Sequence, residues 1–145
     1  MEENKWKLPL YKIYSDDEDV NLVTKIIKRG ERWAIGPEIE EFENEIKNYV
    51  GVDYCLTLNS GTSALHALLL AYDIGKNDEV IVPSFSFIST ANSVLFVDGI
   101  PKFSDIEDDT LGLDPNLVSN NITAKTKAII PIDYAGLPCK IHDLK

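Results

Sequence analysis

Between Tyr54 and Ile132, short apolar runs alternate with helical stretches, and this alternation constrains the fold more than any other feature of the chain. Tyr54-Cys55-Leu56-Thr57-Leu58 reads as a strand, and Thr62 to Ala71, rich in alanine and leucine, as a helix after it. Val80-Ile81-Val82 reads as a buried strand stopped by Pro83. Ser86 to Phe96 reads as a helix and Pro101-Lys102-Phe103-Ser104 as a short strand. Asp114-Pro115 opens a brief helix, and Lys127 to Ile132 is an apolar strand. Such alternation predicts βαβ units and a mainly parallel sheet. Right-handed crossovers then put helices on both faces, so the expected class is α/β. Ligands gather at the carboxyl ends of the strands in sheets of this kind, which directs attention to loops 59–62, 83–87, 104–106 and 132–136.

Two helices are expected ahead of this pattern. Residues 1–14 read as an irregular arm, with Trp6, Leu8, Leu10 and Tyr11 as anchors. Ser15 and Glu18 have capping-box spacing, Val20, Val23 and Ile27 recur at helical spacing, and Gly30 supplies a left-handed stop. Gly36-Pro37 opens the second helix, with Ile39, Phe42, Ile46 and Tyr49 on one face and glutamates elsewhere; Gly51 ends it.

A length of 145 residues suits one domain, and the formal charge of -10 argues against a nucleic-acid surface or an anionic membrane as partner. The charged N-terminus has no signal core and no apolar run is long enough to span a bilayer, so a cytoplasmic protein is expected. Cys55 reads as a small core residue, and with Cys139 it forms no CxxC pair. His66 and His142 stand in no Ser-His-Asp arrangement or metal-ligand spacing, so no metal is expected. The last strand-to-helix loop lies just before Lys145; sheets of this pattern continue, so a truncation is expected.

The strand-end loops carry the chemistry. Asn59-Ser60-Gly61-Thr62-Ser63 follows a strand and opens a helix. Glycine allows close approach of the backbone, and free amides at Thr62 and Ser63 would meet an anion at the positive end of the helix dipole. Taken alone, the same residues read more simply as an N-cap. Phe85 and Phe87 read as core by residue type, although an aromatic there can also stack on a flat ring. Asp105-Ile106-Glu107-Asp108-Asp109 reads as a solvated turn, with Asp105 ordering the site. A plain nucleotide-binding module would need a GxGxxG turn, which the chain lacks.

In order, the pieces from Gly36 onward resemble one family. They are Gly36-Pro37 with Phe42-Glu43, then Ser60-Gly61-Thr62-Ser63-Ala64-Leu65-His66, then Asp78 to Phe87, Thr90-Ala91-Asn92, and Pro101-Lys102-Phe103 with Asp105. Asp114-Pro115, Ile122-Thr123, Lys125 to Pro131 and Tyr134-Ala135-Gly136 complete them. Together they resemble the DegT/DnrJ/StrS-type aminotransferases, fold-type I enzymes that use pyridoxal 5′-phosphate (PLP) on nucleotide-linked keto-sugars. The resemblance implies that residues 36–145 are the N-terminal portion of a PLP-binding large domain, after an arm and first helix over 1–35. It implies that Gly61, Thr62 and Ser63 hold the PLP phosphate and that Phe87 stacks on the pyridine ring. Asn92 then supports the loop, and Trp33–Gly36 resembles a part near the active site of relatives. Asp133 stands where relatives often have histidine. Glutamate as amino donor and a homodimer are implied in the same way. PLP chemistry needs a lysine that forms a Schiff base and an acid at the pyridine nitrogen. The resemblance puts both beyond Lys145, so no catalytic residue is assigned. A dehydratase with histidine in place of that lysine, or a non-catalytic remnant, are the alternatives.

Overall fold

The computed structural model describes residues 11–145. The expected anchors Trp6, Leu8 and Leu10 lie outside the described residues, and Tyr11 is exposed. The chain divides into two compact units, Met1–Leu56 and Thr57–Lys145.

The first unit holds α1 (Asp17–Arg29) and α2 (Pro37–Val50). The expected cap at Ser15 is one residue early. Asp16 is the N-cap, accepting from the amides of Glu18 and Asp19, while its own amide donates to the Asp19 carboxylate. A carboxylate serves two amides at once beside the positive end of the helix, which a hydroxyl at Ser15 cannot match. Gly30 and Gly51 close the two helices at φ 77°, in the left-handed region that glycine enters without steric cost. Arg29 fastens the connection: it pairs with Glu38 at 2.5 Å and donates to the carbonyls of Glu31 and Arg32.

Residues 54–58 are not a strand. They keep the period-two pattern, with Tyr54, Leu56 and Leu58 exposed and Cys55 and Thr57 half-buried, but form no ladder. Alternation sets the pleat, but a strand also needs a hydrogen-bonded neighbour, and among the described residues the sheet's pairings join Glu79–Pro83 to Ile100–Ser104 and to Thr126–Ile129 alone.

The second unit is a three-stranded parallel sheet in the order β2-β1-β3. β1 spans Glu79–Pro83, β2 Ile100–Ser104 and β3 Thr126–Ile129. α3 (Gly61–Ala71) precedes β1, α4 (Ser89–Phe96) joins β1 to β2, and α5 (Pro115–Asn121) joins β2 to β3. A short 3-10 turn over Tyr134–Gly136 and α6 (Ile141–Leu144) follow. The helix expected from Ser86 starts only at Ser89, because Ser84–Ser86 bend across the end of the sheet before the backbone turns. β3 was expected to reach Ile132. Ile130 donates one further ladder bond, to Ile81, and Pro131 has no N–H to continue.

The sheet is covered on both faces, as the α/β pattern requires. Val80 and Val82 point one way, into a core with Leu69 of α3 and Val94 of α4. Ile81 points the other way, against Val118 of α5 and against Leu113, just before that helix. All three β1 residues are fully buried, which explains why β1 is an unbroken apolar run. Cys55, expected in the core, is only half-buried; Cys139 is buried, and both are free thiols.

Candidate functional site

From β1 the chain passes to β2 on one side, whereas β3 lies on the other. That is a topological switch point, where loops diverge and leave a crevice beyond the carboxyl ends of the strands. The crevice here is a cleft of about 630 Å³. One wall is the start of α3, with Gly61, Thr62 and Leu65. A second is Ser86, Phe87 and Thr90, after β1. The third is the segment 132–135, after β3.

The N-terminus of α3 is organised by its cap. Ser60 is extended (φ -162°, ψ 155°), and its Oγ accepts from the Ser63 amide at 3.1 Å. The Ser60 hydroxyl donates to Ser63 Oγ at 3.0 Å, and the Ser63 hydroxyl donates to Asn59 Oδ1 at 2.7 Å. The Ser63 amide, expected to be free, is therefore engaged, and Ser63 does not line the cleft. Because the helix starts at Gly61 rather than Thr62, the amides left without an acceptor among the described residues are those of Gly61 and Thr62. A Cβ at Gly61 would meet nothing within 4 Å, so this corner opens directly to the cleft.

The two aromatics after β1 part company. Phe85 packs on Tyr134, ring centroids 4.7 Å apart and tilted by 44°. Phe87 is 76% exposed and lies on the cleft wall. Loop 84–88 is tied to β2 by the Ser84 amide, which donates to Ser104 O at 2.9 Å. It is tied again by the Ser84 hydroxyl, which donates to Asp105 Oδ1 at 2.8 Å. Asp105 also accepts from the Ile106 amide at 2.9 Å; the Ser84 bond, then this one, hold its carboxyl below the ordinary range.

The carboxylate run after β2 is not simply a solvated turn. Glu107 accepts from Lys140 Nζ at 2.8 Å, from the amides of Asp109 and Thr110, and from the Thr110 hydroxyl. Lys140 also meets Asp109 at 3.2 Å. These bonds, the Lys140 ammonium first, lower the Glu107 carboxyl to about 2. The latch ties the segment before α6 to the loop after β2, away from the cleft.

Asp133 lines the cleft, but its Oδ1 accepts from the Cys139 amide at 2.9 Å, which lowers its carboxyl. Burial, followed by the neighbouring Asp133 carboxylate, raises the Cys139 thiol. Asn92 lies on α4 and does not line the cleft. His66 packs edge-on against Phe96, centroids 5.6 Å apart. Trp33 and Ile35 are exposed on the first unit. Sequence reasoning missed Tyr134 as a wall and as the partner of Phe85. Its place directly after an apolar strand was the available signal.

The comparisons with known proteins point to one family. The DegT/DnrJ/EryC1/StrS aminotransferase model matches residues 14–145, reaching further toward the N-terminus than the motifs from Gly36. UDP-2-acetamido-2-deoxy-3-oxo-D-glucuronate aminotransferase of Pseudomonas aeruginosa is 37% identical over 114 residues, covering 79% of this chain and 32% of that protein. The aminotransferase from Psychrobacter cryohalolentis superposes with a TM-score of 0.85 at 30% identity, covering 90% of this chain and 33% of that one. NtdA from Bacillus subtilis, solved with bound cofactor PMP, gives 0.77 at 33% identity, covering 86% and 28%. The chain spans about a third of the length of the curated relatives it matches. Among the described residues no helix is long and apolar enough to cross a membrane. Motif order, parallel sheet and the match over 14–145 agree: the chain belongs to the DegT/DnrJ/EryC1/StrS aminotransferase family.

Proposed function

We propose that this chain is the cofactor-binding portion of a PLP-dependent enzyme that moves amino groups onto a nucleotide-linked keto-sugar, with glutamate as amino donor. The observation that carries the reading is that one cleft holds two free amides at a helix N-terminus and an exposed aromatic ring. The residues fit the cofactor's chemistry. An anionic phosphate is favoured where unpaired amides meet the positive end of a helix, and a flat heterocycle is favoured beside an aromatic face.

On this reading Gly61 and Thr62 hold the phosphate, and Ser63 keeps the seat in shape through its bonds to Ser60 and Asn59. Phe87 covers one face of the ring and keeps water from it. PLP supplies an electron-accepting ring that carries the amino group between donor and acceptor. The lysine and acid that this chemistry needs are assigned to no residue from Met1 to Lys145. Residues 36–145 form the proposed portion of the cofactor domain, after the arm and first helix over 1–35. A cytoplasmic homodimer is the proposed setting.

The test uses 4-deoxypyridoxine 5′-phosphate, which lacks the aldehyde and so cannot react with surface lysines. Titration calorimetry should show saturable binding to the chain, with none for 4-deoxypyridoxine without the phosphate. Equal binding of the two, or of neither, to a folded chain overturns the cofactor reading. The whole reading frame should then aminate a UDP-linked keto-sugar when given glutamate and PLP.

A further inference from the structure

We propose that the Ser84–Asp105 hydrogen bond is a positioning device for Phe87, so that affinity for a ring in the cleft depends on two residues outside it. The inference rests on the reading that Phe87 covers a cofactor ring. β1 is the central strand, so the loop leaving it runs between the loops leaving β2 and β3. It is held from both flanks. On the β2 side Ser84 is bound through its amide to Ser104 O at 2.9 Å and through its hydroxyl to Asp105 Oδ1 at 2.8 Å. On the β3 side Phe85 packs on Tyr134. Pro83, from which the loop springs, is fully buried.

The loop is thus fixed at its first two residues and presents Phe87, 76% exposed, two residues further on. Asp105 is itself fixed, because the same Oδ1 accepts from the Ile106 amide. Neither Ser84 nor Asp105 lines the cleft, so neither touches the ligand. Their bond is exposed, and an exposed hydrogen bond adds little to global stability. Its effect is therefore on where Phe87 stands.

The α3 seat for phosphate uses no residue of this loop, and that separation gives the test. Two probes are titrated into the chain: 4-deoxypyridoxine 5′-phosphate, which uses seat and ring face, and inorganic phosphate, which uses the seat alone. Binding is followed through the amide resonances of Gly61 and Thr62. Ser84→Ala and Asp105→Ala should weaken the ring-bearing probe about three- to tenfold, as expected for loss of one hydrogen bond's worth of positioning. Both should leave inorganic phosphate unchanged and the melting temperature near wild type. Asp105→Asn keeps an acceptor at the same place and should restore most of the affinity. Unchanged affinity for the ring-bearing probe in Ser84→Ala overturns the inference, as does equal weakening of both probes. A wild-type chain that does not prefer the ring-bearing probe overturns the cofactor reading instead.

Discussion

Replacing Gly61 by proline should raise stability and lower affinity for a phosphorylated ligand, two effects of opposite sign from one change. Gly61 is the first residue of α3, the position where proline is favoured in helices. The residue before a proline must be extended, and Ser60 already is, at φ -162° and ψ 155°. The amide that proline removes has no acceptor among the described residues, and the space around Gly61 is open. Folding therefore loses no bond, while the unfolded chain loses freedom, a gain of about 0.4–1 kcal/mol. Binding loses one amide donor to a charged group, about 1.5–3 kcal/mol, or roughly ten- to 150-fold in affinity. Urea unfolding measures the first effect and calorimetry with 4-deoxypyridoxine 5′-phosphate the second. A variant that is folded, at least as stable, and binds like wild type would falsify the seat at α3.

Three further outcomes test the packing and electrostatics. Gly112→Ala places a Cβ 2.6 Å from Cys139 Cβ and 3.3 Å from its Cα, so the backbone must move; a loss of about 1–3 kcal/mol in urea unfolding is expected, and a neutral result refutes the tight contact. Asp16→Ala removes the cap of α1 and should destabilise that helix, seen as helical circular dichroism lost at a lower temperature than in wild type. Glu107 has a carboxyl lowered from 4.5 to about 2, so its contribution is fully present above pH 4.5 and disappears as pH falls toward 2. In Glu107→Gln the part of the acid transition within that window should flatten, and an unchanged acid limb counts against the Lys140 latch.

The sequence was most informative where an apolar run is bounded by residues with one conformational use. Pro83, Asp114-Pro115 and Gly51 put β1, α5 and α2 within a residue or two of their observed limits. It was least informative where structure depends on a partner far along the chain. Tyr54–Leu58 carries the alternation of a strand, but alternation specifies a pleat and not a neighbour. Glu107 looked like one acid in a solvated turn because the cation that holds it, Lys140, is 33 residues away. At α3 the glycine and hydroxyls were visible, but which amide would serve the cap was not. A shift of the helix start by one residue moved the free donors from Thr62 and Ser63 to Gly61 and Thr62. Phe85 and Phe87 are alike in sequence and differ only because Tyr134 arrives beside one of them.

The two halves of the cleft are rooted in different parts of the core. Phe87 stands on the loop that leaves β1, and β1 is locked from both faces by Val80, Val82 and Ile81. The α3 seat has no strand beneath it, since residues 54–58 join no β-ladder among the described residues. It reaches the sheet through Leu69, which packs with Val94 of α4 and the even-numbered face of β1, and through the contact of His66 with Phe96. Damage to the α5 face, around Leu113 and Val118, therefore acts on the seat only through β1. Damage at the α3–α4 contact shifts the seat while the ring wall stays on its strand. A phosphorylated ring bridges the two, so its affinity reports the distance between them, a quantity that neither half sets alone.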